Sequence, residues 1–103
     1  MARQKDDFYP TPPEATQLLL DNESFDGLVW ECACGNGAMA KTLEENGYTV
    51  VATDLNYYDY GVPGRDFLLE KEKLAPNVCT NPPFKLAQEF IQKCFDLEVE
   101  KIA

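Results

Sequence analysis

The chain has 103 residues, 45% of them hydrophobic and 12% aromatic, which is enough for one small domain with its own core. No apolar run approaches the ~18 residues of a membrane span, and MARQKDDFYP has no apolar stretch behind its basic residues, so a cytoplasmic protein without a secretory signal is expected. Eighteen acidic against nine basic residues leave a net charge of −9, which repels phosphate backbones and argues against this chain gripping DNA by itself.

In chain order, TPPEATQLLL opens with Thr11 and carries Glu14 three residues later, the spacing of a capping box, with Pro12 at the first helical position. Ala15, Leu18 and Leu19 then predict one apolar helix face. GLVWEC is a short apolar run ending at a glycine-containing loop, and predicts a buried strand. AMAKTLEEN predicts a helix that stops at Gly47, a C′ residue. YTVVATD is rich in β-branched residues and predicts a second strand. VPGRDFLL is ambiguous, with a short edge strand as one reading, and NVCT predicts a short strand. Leu86, Phe90, Ile91, Cys94 and Phe95 make a helical stripe, and EKIA begins a further strand-like run.

Strands alternating with helices imply an α/β fold, a Rossmann-like parallel sheet with flanking helices. Ligands in such sheets bind outside the carboxyl ends of the strands, where the strand order reverses. The loops ACGNGA, DLNYYD and NPPF all lie at such ends and are expected to converge.

The cysteines are Cys32, Cys34, Cys79 and Cys94, and the chain has no histidine. Cys32 and Cys34 form C-x-C without a second paired knuckle, so no metal site is expected. Nor is a disulfide framework expected; buried or half-buried free thiols are.

Gly35 and Gly37 follow the first strand and precede a helix. Gly35 suits a turn with positive φ, and Gly37 removes a side chain where a ligand would approach the backbone. With Ala40 the spacing is G-x-G-x-x-A, which also fits a dinucleotide fingerprint or a plain tight turn. Asp54 ends the next strand close to the ~20-residue offset of a carboxylate that binds ribose hydroxyls. Glu31, four residues before Gly35, suits a ligand ammonium and would repel a pyrophosphate, which favours an amino-acid-bearing nucleoside.

Together, WECACGNGAMAKTL, ATDL and TNPPF resemble class I S-adenosylmethionine-dependent methyltransferases, and among them the amino-group methyltransferases that modify adenine in DNA, including small phage and prophage types. DFYPTPPEATQLLL is similar to the N-terminal segment that those enzymes lay against the cofactor. The resemblance implies S-adenosylmethionine as cofactor, DNA adenine as substrate, and the cytoplasm of a bacterial or phage-infected cell. It implies that Ala33, Gly35 and Gly37 pass under the cofactor, that Glu31 holds its methionine end, and that Asp54 binds the ribose with Leu55 beside the adenine. Asp66 would hydrogen-bond the adenine amino group, while Tyr9, Thr11 and Pro12 would close over the ligand. Cys32 stands where related enzymes often carry proline.

Asn81, Pro82, Pro83 and Phe84 would form the catalytic loop. An aromatic amine is a weak nucleophile because its lone pair is delocalised. The Asn81 side-chain oxygen and the Pro82 carbonyl would accept its N–H groups, the prolines would hold them in place, and Phe84 would stack on an extruded base.

The resemblance also implies further strands beyond Lys101-Ile102-Ala103. Residues 1–103 then read as a single incomplete domain, the N-terminal half of the methyltransferase fold, with the strand at NVCT left as a bare edge. Two copies pairing across that edge, a homodimer, are expected. Other readings are methyl transfer to RNA or a protein amide, a non-catalytic dimeric binding module, and a nicotinamide-cofactor domain; Glu31 and NPPF argue against the last.

Overall fold

The computed structural model describes residues 10–103, so Tyr9 lies outside the described residues. Helix α1 (Pro13–Asn22) leads to strand β1 (Val29–Glu31), helix α2 (Ala38–Glu45), strand β2 (Val50–Ala52), a 3-10 turn (Phe67–Leu69), strand β3 (Asn77–Val78), a second 3-10 turn (Phe84–Leu86), helix α3 (Ala87–Asp96) and strand β4 (Lys101–Ile102). Among the described residues the strands form one four-stranded sheet in the order β2-β1-β3-β4, with every pairing parallel. This is an α/β architecture compatible with a Rossmann-like fold.

Strand β1 is central and buried on both faces. Because side chains alternate along a strand, Val29 joins Phe25, Met39, Leu43 and Cys79 in one core cluster. Trp30 joins Phe67, Val78, Phe90 and Cys94 in the other. Trp30 meets Phe67 edge-on at 5.1 Å between ring centroids, and Phe67 meets Phe90 at 4.9 Å. The indole Nε1 donates to Thr53 Oγ1 at 3.0 Å, so the polar end of the buried ring is satisfied.

The start of α1 departs from the predicted capping box. Its N-cap is Pro12, in extended geometry at φ −60°, ψ 137°, and no side chain caps it. Pro12 itself precedes a proline, and the next ring's Cδ drives such a residue out of the helical region. Pro13 therefore takes the first helical position. The buried side of α1 is Thr16 with Leu19 and Leu20 packed beside it, whereas Ala15 and Leu18 are exposed. Three consecutive leucines allowed either face, and packing against α2 selected this one.

Helix α2 ends as expected. Gly47 has φ +94°, its N–H donates to Glu44 O, and the Tyr48 N–H reaches back to Leu43 O at 3.1 Å. These are the two bonds of a Schellman motif. In α3, Phe90 and Cys94 are buried, but Ile91 and Phe95 are exposed, as is Leu86 in the 3-10 turn before it. The helix meets the sheet along one line, and the other half of the predicted stripe turns away from it.

The VPGRDFLL segment makes an isolated parallel bridge, Thr53 to Val62, and then the first 3-10 turn. The predicted bare edge at NVCT is corrected: β4 pairs with β3, and Ala103 exchanges backbone hydrogen bonds with Val78 and Thr80. Lys101 Nζ binds Glu23 Oε1 at 2.8 Å and Ser24 O at 2.7 Å, fastening β4 beyond the end of α1. The chain thus covers β3 with its own last residues, which removes the stated reason for pairing two copies there. No helix among the described residues is long and apolar enough to cross a membrane.

Candidate functional site

After β1 the chain goes to β2 on one side, then to β3 on the other, so the strand order reverses at β1/β3. The carboxyl ends of those strands are Glu31 and Val78. Each is followed by an irregular loop, because glycines interrupt the first path and prolines the second.

The first loop is shaped from within. Gly35 takes φ +55° and Gly37 φ +89°, which a side chain would strain. Asp54, 1% exposed at the end of β2, accepts from the Gly35 N–H at 2.9 Å through Oδ2 and from the Asn56 N–H at 3.0 Å through Oδ1. Its carboxylate holds the glycine turn as well as facing the adjoining crevice. Asn36 Oδ1 accepts from the Ala38 N–H at 3.2 Å, at the first turn of α2.

Gly37 is small for a reason other than the predicted ligand approach. A Cβ there would stand 2.6 Å from the Tyr60 ring. That ring is flanked by Lys41 Nζ, 5.4 Å from its centroid, and by Glu44 Oε1 at 3.4 Å from its hydroxyl. The DLNYYDYG loop therefore closes over the outer side of the glycine turn, where Gly61 also lies too close to Cys34 Sγ and Ala52 O to carry a Cβ.

Glu31 is 2% exposed and ends β1. Its Oε1 accepts from the Ala33 N–H at 2.9 Å and, over a short distance, from the Thr80 hydroxyl. Thr80 was not among the predicted site residues. Its signal was its place beside Asn81, one residue before the proline turn.

The two loops meet in a cavity of about 200 Å³ whose walls include Thr11, Glu31, Gly35, Asn81, Pro82 and Phe84. Ala33 lines it too, together with Pro10, Asn36 and Met39, none of which had been singled out. Gly37 and Pro12 do not line it. Phe84 is 85% exposed and so is not a core residue. Thr11, freed from capping, accepts from Asn81 Nδ2 at 3.3 Å through Oγ1.

A second, smaller cavity of about 30 Å³ adjoins the first across Ala33. Asp54, Leu55, Asp66 and Pro83 line it, along with Cys32 and Arg65. Asp66 Oδ1 is engaged with the Leu68 N–H at 3.0 Å, where it caps the 3-10 turn. Arg65 holds Glu70 through two bonds of 2.8 and 2.7 Å. The predicted single crevice is therefore two neighbouring chambers, one for the glycine and proline loops and one for the end of β2.

All four cysteines are free and buried, as expected. Burial pushes the Cys79 thiol up to about 12 and the Cys94 thiol up to about 11, with Glu31 adding to the rise at Cys79. Burial, then the charges of Glu31 and Cys94, raise Cys32 well above an ordinary thiol. These three are protonated at neutral pH and are not nucleophiles. No group of cysteine, aspartate or glutamate among the described residues is arranged to hold a metal ion.

No family model, curated protein or solved structure matches the chain.

Proposed function

We propose that the chain belongs to an S-adenosylmethionine-dependent amino-group methyltransferase, with adenine in DNA as the acceptor. The observation that carries this reading is the shared cavity: Asn81, Pro82 and Phe84 line the same walls as Glu31 and Gly35. A plain strand-to-helix turn would have no need to place an exposed aromatic and an amide opposite a buried carboxyl group.

The donor set suits the cofactor. Glu31 is an acid at the cavity wall, fit for an ammonium, and Asp54 and the apolar Leu55 line the small neighbouring cavity, an acid beside an apolar side chain. The closure of Tyr60 over Gly37 leaves little room there for a pyrophosphate, which favours this ligand over a dinucleotide. When bound, S-adenosylmethionine supplies an electrophilic methyl group on a sulfonium.

The chain's own residues prepare the acceptor. Asn81 Oδ1 and the Pro82 carbonyl accept the two N–H bonds of a planar amine, drawing its nitrogen toward tetrahedral geometry. The amine so held would take the methyl group that the bound cofactor would supply, and its surplus proton would pass to water. Pro82 and Pro83 limit backbone reorganisation. Phe84 offers its exposed face to an unstacked base. No histidine is needed, because the acceptor oxygens polarise the amine without a tuned base.

Calorimetry with S-adenosylhomocysteine tests the cofactor, and methyl transfer from labelled S-adenosylmethionine to DNA, RNA and protein pools tests the acceptor. Binding with transfer to DNA is expected. Transfer to RNA or protein instead would change the acceptor, binding without any transfer would make the chain a binding module, and no heat at millimolar ligand would end the proposal.

A further inference from the structure

Positive charge is unevenly placed on this chain. Parallel strands put the larger cavity at their carboxyl ends and leave the amino ends on the far side of the sheet. Lys71 and Lys73 stand on the connection into β3, Lys93 in the last turn of the helix that leads into β4, and Lys101 at the first position of β4, so these four lie toward the amino ends. Lys73 and Lys93 are also occupied by the carbonyls of Glu98 and Glu70, and Lys101 by Glu23 and Ser24. At the carboxyl ends, Arg65 is held by Glu70 through two bonds, and Lys41 stands over the Tyr60 ring. Lys85 is left. It is exposed, follows Phe84 in the second 3-10 turn, and makes no hydrogen bond or ion pair among the described residues. Arg3 and Lys5 are matched in the sequence by Asp6 and Asp7, so the net charge of −9 arises from residues 10–103.

We infer that the site takes its adenine from an unpaired strand and not from a duplex, with Lys85 as its phosphate contact beside the stacking face of Phe84. The inference rests on the adenine-methyltransferase reading and narrows its substrate. A duplex carries one negative charge per about 1.7 Å of its length, twice the density of a single strand, and a chain at −9 repels it the more strongly. Turning a base out of a duplex breaks its pairing and its stacking, and that loss has to be offset by contacts to the surrounding strands. One uncommitted ammonium offsets little of it and gives no hold on the opposite strand. An unpaired base has no pairing to lose, and the exposed Phe84 ring replaces the neighbours it stacks on. A lysine one residue along the same turn is a point charge on a flexible stem, which follows a phosphate without demanding fixed strand geometry.

The test offers one short adenine-containing oligonucleotide in two forms, single-stranded and annealed to its complement. Methyl transfer from labelled S-adenosylmethionine is expected to favour the single strand by about tenfold in kcat/KM. Binding of the same two forms, fluorescently labelled and followed by anisotropy with S-adenosylhomocysteine present, is expected to show the same preference. Lys85→Gln is expected to weaken single-strand binding about fivefold and to change the slope of log affinity against log salt by about 0.7, the value for one phosphate on a single strand. Lys85→Arg should restore both. Phe84→Ala should weaken binding at unchanged slope, because stacking carries no net charge. A duplex bound or methylated as well as the single strand overturns the inference, and so does an unaltered salt slope in Lys85→Gln or a wild type that binds neither form. Transfer to neither form, with the single strand still preferred in binding, ends the methyltransferase reading and leaves the strand preference and the Lys85 contact standing.

Discussion

Thr80 donates its hydroxyl to Glu31 Oε1, tying the first residues after β3 to the last residue of β1 where the strand order reverses. The bond joins the two loops that wall the larger cavity, and its acceptor is a carboxyl group 2% exposed. Thr80→Val removes the donor and leaves a buried acceptor short of a partner. A loss of about 1–3 kcal/mol is expected, read as a lower urea midpoint at unchanged m-value. An unchanged midpoint would show that the two loops are held apart from this bond.

Gly37→Ala faces two obstacles, a positive φ and the Tyr60 ring 2.6 Å from the new methyl group. The expected cost is about 1–3 kcal/mol. In a Tyr60→Ala background the ring is gone and the conformational strain remains, so the same substitution should cost about 0.5–2 kcal/mol less. A double-mutant cycle in urea measures the difference, and strict additivity would show that the ring yields freely.

Phe84 and Phe90 are six positions apart in sequence and opposite in burial, at 85% and 7% exposure. Phe90→Ala opens a hole beside Phe67 and should cost about 3–5 kcal/mol. Phe84→Ala should stay within about 0.5 kcal/mol of the parent. Equal effects would place Phe84 in the core and remove it as a stacking surface.

The raised thiols predict an alkaline limit. A thiol whose folded pKa lies above its unfolded value keeps its full contribution below the unfolded pKa and loses it as pH climbs toward the folded one. For Cys79 the window runs from about 9.0, the ordinary value, to about 12, and for Cys94 from 9.0 to about 11. Urea midpoints should hold steady through neutral pH and fall above pH 9. Cys79→Ala should be weaker at neutral pH and show a shallower alkaline fall. An equally steep fall in that variant would assign the limit to other groups.

Much of the site was legible because its residues are unusual where they stand. Glycines after a strand, an acid ending the next strand, and two prolines before a helix are local signals, and each marks a place where regular structure stops. What misled were positions whose meaning depends on a distant neighbour. Thr11 and Glu14 have capping-box spacing, but the Pro12-Pro13 pair excludes that geometry and Asn81 takes the hydroxyl. Gly37 has ligand-loop spacing, but Tyr60 fills its missing side chain. Leu18 and Leu19 both fit a helix face, and the orientation of α1 against α2 exposes Leu18.

Taken alone, the amino-acid order determined where strands and helices alternate, that the sheet is parallel, and which loops stand at the strand ends, because backbone preferences and side-chain periodicity act over a few residues. The three-dimensional arrangement decided the rest: that β4 covers β3, that the crevice divides at Ala33, and that Thr80 and Thr11 secure Glu31 and Asn81. Those outcomes depend on residues far apart in sequence, and no local rule carries that distance.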